Sequence, residues 1–209
     1  MSARIKICGL TRAEDARLAQ DAGAWALGFI FYPQSKRFIT PEAAAAIAPK
    51  DAQTTGVFVN QMSEISAALE VFPLAAIQLH GNETPDEVRA LRDIFAGKII
   101  KAFRLQSDAD LPQIAAWQGI ADYILIDAAV AGQYGGTGQT ADWALAARAK
   151  ECGIPLILSG GIDAANILAA QDAVSPFAFD LAGGVEAAAG IKDTQKIKTL
   201  FETSRRINP

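Results

Sequence analysis

Eight short apolar runs recur along the 209-residue chain, and each is followed by a longer segment with helical periodicity. They span residues 4–8, 24–31, 54–60, 75–80, 98–104, 123–127, 155–159 and 177–181, with starts 20 to 32 residues apart. Each run is rich in Ile, Val, Leu or Phe and ends near a polar or small residue. Strands covered on both faces read this way, and they are parallel strands joined by crossover helices. The start signals of those helices lie in the right places. Thr11-Arg12-Ala13-Glu14 has the spacing of a capping box, and Thr40-Pro41-Glu42 offers an N-cap followed by Pro at the first helical position. Asn82-Glu83-Thr84-Pro85, with Asp86 and Glu87 after it, places acids in a first turn. Further helical segments begin at Ser63 and cover 108–117, 141–152, 164–170 and 192–204.

Eight strands alternating with eight helices, without a linker, predict an α/β fold: a single (β/α)8 TIM barrel forming one domain over residues 1–209. An open doubly wound sheet is the competing architecture. It rarely needs eight parallel strands in a chain this short, and no Gly-x-Gly-x-x-Gly follows the first run.

Charge and cysteine usage narrow the function. The net charge is −4 and no run of Lys and Arg builds a basic face, so no nucleic-acid partner is expected. No apolar stretch reaches the roughly 18 residues of a membrane span, and the N-terminus has no secretory pattern, so no membrane partner is expected either. Cys8 and Cys152 are too few for a disulfide framework and fit a reduced, cytoplasmic setting. A monomer is expected, with a dimer as the alternative. His80 is the only histidine and cannot supply a multi-His site, so neither a metal nor a cofactor is expected.

Barrels carry their chemistry at the C-terminal ends of the strands. That rule selects Cys8, Asn60, His80, Arg104, Asp127, Ser159 and Asp180. The most specific signal is a pair of glycine loops, Ser159-Gly160-Gly161-Ile162 after the seventh run and Ala182-Gly183-Gly184-Val185 after the eighth. Glycines let backbone N–H groups approach an anion, and barrels bind phosphate at these two loops. A phosphorylated small-molecule substrate is therefore expected. Asp127 follows three buried aliphatics, a costly place for a carboxylate unless it is paired or used. Cys8 reads equally as core filler or as a reacting thiol, whereas Cys152 sits inside a helical segment and reads as filler. Arg37 reads equally as a solvated charge or as a bidentate clamp for a carboxylate. His80 reads as an organiser of strand-end hydrogen bonds. Residues 128–140, with Gly135-Gly136-Thr137-Gly138, read as a mobile lid.

Taken together, the motifs resemble the phosphoribosylanthranilate isomerase family of tryptophan biosynthesis. The matching segments are Lys6-Ile-Cys-Gly-Leu-Thr11, Gly28-Phe-Ile-Phe31, Ser35-Lys-Arg37, Gly56-Val-Phe-Val-Asn60, Gln78-Leu-His-Gly81, Gly135-Gly-Thr-Gly138 with Asp142-Trp143, Leu158-Ser-Gly-Gly161, and Gly184-Val-Glu186 with Gly190-Ile-Lys-Asp193. The resemblance implies a (β/α)8 barrel. It also implies an Amadori rearrangement of N-(5-phosphoribosyl)anthranilate to the 1-(2-carboxyphenylamino)-1-deoxy-D-ribulose 5-phosphate. It places the base on Cys8, the acid on Asp127 and the anthranilate-side arginine on Arg37. Substrate contacts are expected at His80, Asp180, Ser159, Gly160, Gly161, Gly183 and Gly184. The family often carries two serines where Ala182-Gly183 stands, and a Lys where Gln139 stands.

The implied chemistry sets further expectations. Asp127 would need burial to hold its proton, and Cys8 would need nearby positive charge to become a thiolate. Lys6, two residues before Cys8, shares its side of a strand. Two other readings compete: another sugar-phosphate barrel isomerase, whose pair would be two Asp residues, and a non-catalytic barrel that binds a phosphate ligand.

Overall fold

All eight apolar runs become strands, seven of them trimmed toward a hydrogen-bonded centre and the run 123–127 kept whole. In a computed structural model describing residues 3–127 and 143–207, the strands are β1 (Ile5–Ile7), β2 (Ala26–Ile30), β3 (Thr54–Phe58), β4 (Ala76–Leu79), β5 (Lys98–Phe103), β6 (Tyr123–Asp127), β7 (Leu156–Ser159) and β8 (Ala178–Leu181). Every neighbouring pair is parallel, and β8 returns to β1, so the sheet is a closed barrel in sequence order. Closure pairs Lys6 with Asp180 and Ile7 with Leu181. The fold is the (β/α)8 barrel that the pattern predicts.

The helices are α1 (Ala13–Ala22), α2 (Pro41–Ile47), α3 (Met62–Val71), α4 (Pro85–Leu91), α5 (Pro112–Ala115), α6 (Trp143–Ala149), α7 (Ile167–Val174) and α8 (Thr194–Ser204). Thr40 caps α2 through the N–H of Ala43, and Thr84 with Glu87 forms a complete capping box on α4. The Thr11 capping box is not formed: Arg12 is the N-cap of α1, without a side-chain bond. The Thr11 hydroxyl donates instead to the Gly190 carbonyl, 179 residues away. Residues 108–117 hold a 3-10 turn and a four-residue α5 rather than one long helix.

One element has no counterpart in the sequence reading. After β8 comes a 3-10 turn (Gly183–Val185), then β9 (Glu186–Ala188) and β10 (Ile191–Lys192), a short antiparallel hairpin before α8. It folds back over the start of the chain: the Lys192 N–H donates to Asp15 Oδ2 at 3.0 Å.

Side chains alternate across the strands, as the two-residue period requires. Ile5, Ile7, Ile77, Leu79, Ile124, Ile126, Leu156, Leu158, Phe179 and Leu181 pack in the large core between barrel and helices. Their neighbours on the other face divide into two levels. Ile100, Leu125, Ile157 and Ala178 form a compact apolar cluster. Nearer the C-terminal ends the same face carries Lys6, Cys8, Gln78, His80, Asp127, Ser159 and Asp180. On the outer face, Lys101 forms a buried ion pair with Glu83 at 2.7 Å and lies over Trp117. Glu83 also accepts the N–H groups of Asn60 and Gly81, which braces the β3 and β4 loops beneath the rim.

Candidate active site

The rim is organised around a lysine that the solvent does not reach. Lys6 is fully buried, and its ammonium donates to Asp180 Oδ1 and to Gln78 Oε1, both at 2.9 Å. An unpaired ammonium would be untenable at this depth. Burial alone would lower its pKa, but the Asp180 carboxylate and the Cys8 thiol outweigh that effect and hold it above the ordinary lysine value. Gln78 passes the chain onward, with its Nε2 2.9 Å from His80 Nδ1. His80 Nε2 lies 3.9 Å from Asp127 Oδ2, and Arg104 Nε lies 3.8 Å from the same oxygen. A polar line therefore crosses the barrel mouth from β8 and β1, through β4, to β6.

Cys8 sits at the end of β1, 5% exposed, with its N–H bonded to the Leu181 carbonyl at 2.8 Å. Burial pushes its thiol above the ordinary range, while Lys6 opposes this through charge and a hydrogen bond and Lys192 opposes it more weakly. Lys6 does reach Cys8, but it limits the rise rather than reversing it. Gly28 on β2 completes the seat: a Cβ there would lie 2.7 Å from the Cys8 sulfur. Asp127 is only partly buried, 20% exposed, so solvent and two neighbouring bases share its surroundings.

Arg37 is not a solvated charge. Its Nε and one terminal nitrogen meet both oxygens of Glu186, while its aliphatic stem lies against Gly9. The hydrogen bond to Glu186 raises the already high guanidinium pKa. Glu186 is shared with Lys192, whose ammonium lies 2.9 Å from Oε1 and also donates to the carbonyls of Cys8 and Ala182. Burial works against the Glu186 carboxylate, yet Arg37 and Lys192 hold it below the usual range.

The two glycine loops are in contact. Gly160 and Gly161 have φ values of +92° and +67°, and a Cβ on Gly184 would lie 2.0 Å from the Ile162 carbonyl oxygen. Only glycine permits that approach. Ser159 is the Cα partner of Asp127 across β6 and β7, so that carboxylate and the first glycine loop are one strand apart. Asn60 turns away from the rim chemistry, with φ +52° and its side-chain oxygen accepting from the Asn82 N–H. The lid expected over 128–140, with Gly135, Gly136, Thr137, Gly138 and Gln139, lies outside the described residues, as does Asp142. Among the described residues no cluster of three or more His, Cys, Asp or Glu side chains stands ready for a metal ion, and no helix is long and apolar enough to cross a membrane.

Of the seven strand-end residues expected from the sequence, Cys8, His80, Arg104, Asp127, Ser159 and Asp180 come to one inward-facing mouth, whereas Asn60 does not. Gln78, Glu186 and Lys192 had no expected role, although all three lie in the family-matching segments Gln78–Gly81, Gly184–Glu186 and Gly190–Asp193; Gln78 is also a polar residue inside an apolar run, while Glu186 and Lys192 lie in a hairpin too short for any periodicity.

A closed eight-stranded barrel with a thiol, a carboxylate and paired glycine loops at its C-terminal mouth defines the class of (β/α)8 barrel enzymes, which carry their chemistry at that end. The family described as N-(5′-phosphoribosyl)anthranilate (PRA) isomerase matches residues 5–203, and the chain belongs to it. The N-(5′-phosphoribosyl)anthranilate isomerase of Geobacter metallireducens is 41% identical over 206 residues, covering 97% of this chain and 98% of that one. That of Pseudomonas savastanoi is 44% identical over 198 residues, 93% of each. Among solved structures, the phosphoribosyl anthranilate isomerase of Thermotoga maritima superposes with a TM-score of 0.88 at 37% identity, covering 98% of this chain and all of that one. A phosphoribosyl anthranilate isomerase in complex with reduced 1-(o-carboxyphenylamino)-1-deoxyribulose 5-phosphate superposes with a TM-score of 0.85 at 35% identity, with the same coverage.

Proposed function

We propose that this chain catalyses the reaction its family is named for, the Amadori rearrangement of N-(5′-phosphoribosyl)anthranilate in tryptophan biosynthesis, with Cys8 as base and Asp127 as acid. The observation that carries the assignment of roles is the shared inward face. Cys8 lies beside the Lys6–Asp180 pair, and Asp127 lies at the other end of the polar line, next to His80.

The geometry supports a two-step sequence. Asp127 delivers a proton to the furanose ring oxygen while the anthranilate nitrogen pushes the C1′–O bond open, leaving an iminium ion. The iminium acidifies C2′, and the Cys8 thiolate removes that proton; the enolamine then tautomerises to the ketone. The free protein favours the neutral thiol, because burial outweighs Lys6. The positive charge of the iminium favours the thiolate at the step that needs it. Arg37 offers its remaining guanidinium edge to the anthranilate carboxylate, and Glu186 holds it in place. Gly160, Gly161, Gly183 and Gly184, with Ser159, cradle the phosphate, while His80 and Asp180 border the sugar. Phosphate binding far from the reacting carbons supplies orientation.

The two free cysteines suit a reducing, cytoplasmic setting. We read the protein as a monomer in solution. A solved relative from Thermotoga maritima is described as monomers generated from a dimeric enzyme, so a dimer is the competing state. Light scattering on the purified protein separates the two. The decisive test of function follows the loss of phosphoribosylanthranilate fluorescence with purified protein. Turnover by the wild type that collapses in Cys8→Ala supports the reading. Phosphate-ligand binding without turnover would instead make the barrel a binding module.

A further inference from the structure

The polar line across the barrel mouth contains a choice of proton position that its first member settles. Lysine ammonium has three donors and no acceptor, so the Gln78 group facing Lys6 must be its carbonyl oxygen. The amide NH2 of Gln78 is then the group facing His80, at 2.9 Å from Nδ1. A donor facing Nδ1 requires that nitrogen to be the unprotonated acceptor. The ring proton of the neutral imidazole must sit on Nε2, the nitrogen 3.9 Å from Asp127 Oδ2. The orientation is not a free alternative for the amide. Turning Gln78 over would set NH2 against a fully buried ammonium that Asp180 keeps charged.

We propose that Lys6 and Gln78 are positioning residues that hold His80 as its Nε2–H tautomer and aim that N–H at Asp127. Lys6 thereby serves both ends of the site. It touches Cys8 directly, and through one amide it sets the face that His80 shows to the acid. The functional weight of this inference rests on Asp127 being the acid of the reaction, but the tautomer itself does not depend on that assignment.

His80 is the only histidine in the chain, so nitrogen-15 NMR of untagged, ring-labelled protein reports one imidazole without assignment. At about pH 8 the wild type is expected to show a pyridine-like Nδ1 and a pyrrole-like Nε2 as a single species. A protonated Nδ1 or an averaged pair would overturn the proposal. Gln78→Glu replaces the NH2 with a carboxylate oxygen that Lys6 can still hold, and it is expected to move the proton onto Nδ1. An unchanged spectrum in that variant would overturn the proposal as well. If Gln78→Glu does not fold, Gln78→Met removes the amide and is expected to give a tautomer mixture; retention of pure Nε2–H would again refute it. In the folded variant, a fall in kcat of about tenfold with KM little changed is expected, whereas full activity with a switched tautomer would remove the positioning role. The spectrum needs no substrate, so its failure is distinguishable from a failure of the isomerase assignment.

Discussion

Arg37 grips Glu186 with two guanidinium nitrogens, Nε at 2.8 and 3.1 Å from the two carboxylate oxygens and a terminal nitrogen at 2.6 Å. The partners are 149 residues apart, so the second βα loop is tied to the hairpin that follows the last barrel strand. A guanidinium fixed on one edge is already oriented for a carboxylate on the other. Arg37→Ala is expected to raise KM and to lower kcat/KM by about 10- to 100-fold, the span of a charge-assisted hydrogen bond worth about 1.5–3 kcal/mol. Glu186→Gln should move both in the same direction by less. Steady-state kinetics check this, and unchanged constants in both would leave the pair a purely structural tie.

Cys8 and Asp127, the proposed base and acid, are tested by what each variant retains. Cys8→Ala and Asp127→Asn are each expected to cost at least ~100-fold in turnover, as loss of a general acid or base does. Phosphate-ligand binding should persist in both, because the glycine loops are untouched. Near-normal turnover in either one removes that residue from the chemistry.

The ascending limb of the pH profile should belong to Cys8, the proposed base. Burial raises its thiol pKa in the free protein, so the base is protonated across neutral pH. The log of kcat/KM should therefore climb with pH past the ordinary thiol value of about 8.5 and level off only above it. Lys6→Met removes the charge that limits this rise, and in any folded variant the limb should shift further up. A plateau reached below pH 7 would show that the thiol is not the titrating base.

Acid should loosen the hairpin first. Glu186 is held below the usual carboxylate range by Arg37 and Lys192 against the opposing effect of burial. A depressed native pKa contributes stability that is full above the unfolded value of about 4.3 and is lost as pH falls through the native one. Asp122, depressed by Arg92, Lys98 and the Ile99 N–H against partial burial, loses its contribution in the same direction. Urea midpoints measured from pH 6 downward should stay level to about pH 5 and then decline. Glu186→Gln should flatten part of that decline, and an unaltered slope would dismiss the assignment.

The barrel was legible in the sequence because buried parallel strands cannot hide their apolar runs. All eight appear at the expected places, with at most two residues lost at either end where the chain leaves the ladder. The rim was legible through one geometric rule, which picked Cys8, His80, Arg104, Asp127, Ser159 and Asp180 along with Asn60, which serves a loop instead. What the sequence concealed was the electrostatics. A lysine in Ile5-Lys6-Ile7 looks like any strand residue until Asp180, 174 positions later, is seen as its counter-ion. Thr11 misled for a related reason: its local spacing suits a cap, but a distant carbonyl claims its hydroxyl. Local patterns report local competition, and these bonds are settled between chain ends.

The closure of β1 against β8 carries a consequence for how the protein comes into being. Lys6 emerges from the ribosome with the first strand, but its counter-charge, Asp180, arrives with the last. Lys192, which clasps the carbonyl of Cys8, arrives later still. A half-made chain can therefore form helices and partial sheet, but it cannot settle Lys6 at its native depth or set the acidity of Cys8. Catalytic competence is withheld until β8 and the hairpin after it have been made, and any fragment ending before β8 should be inert however well it folds.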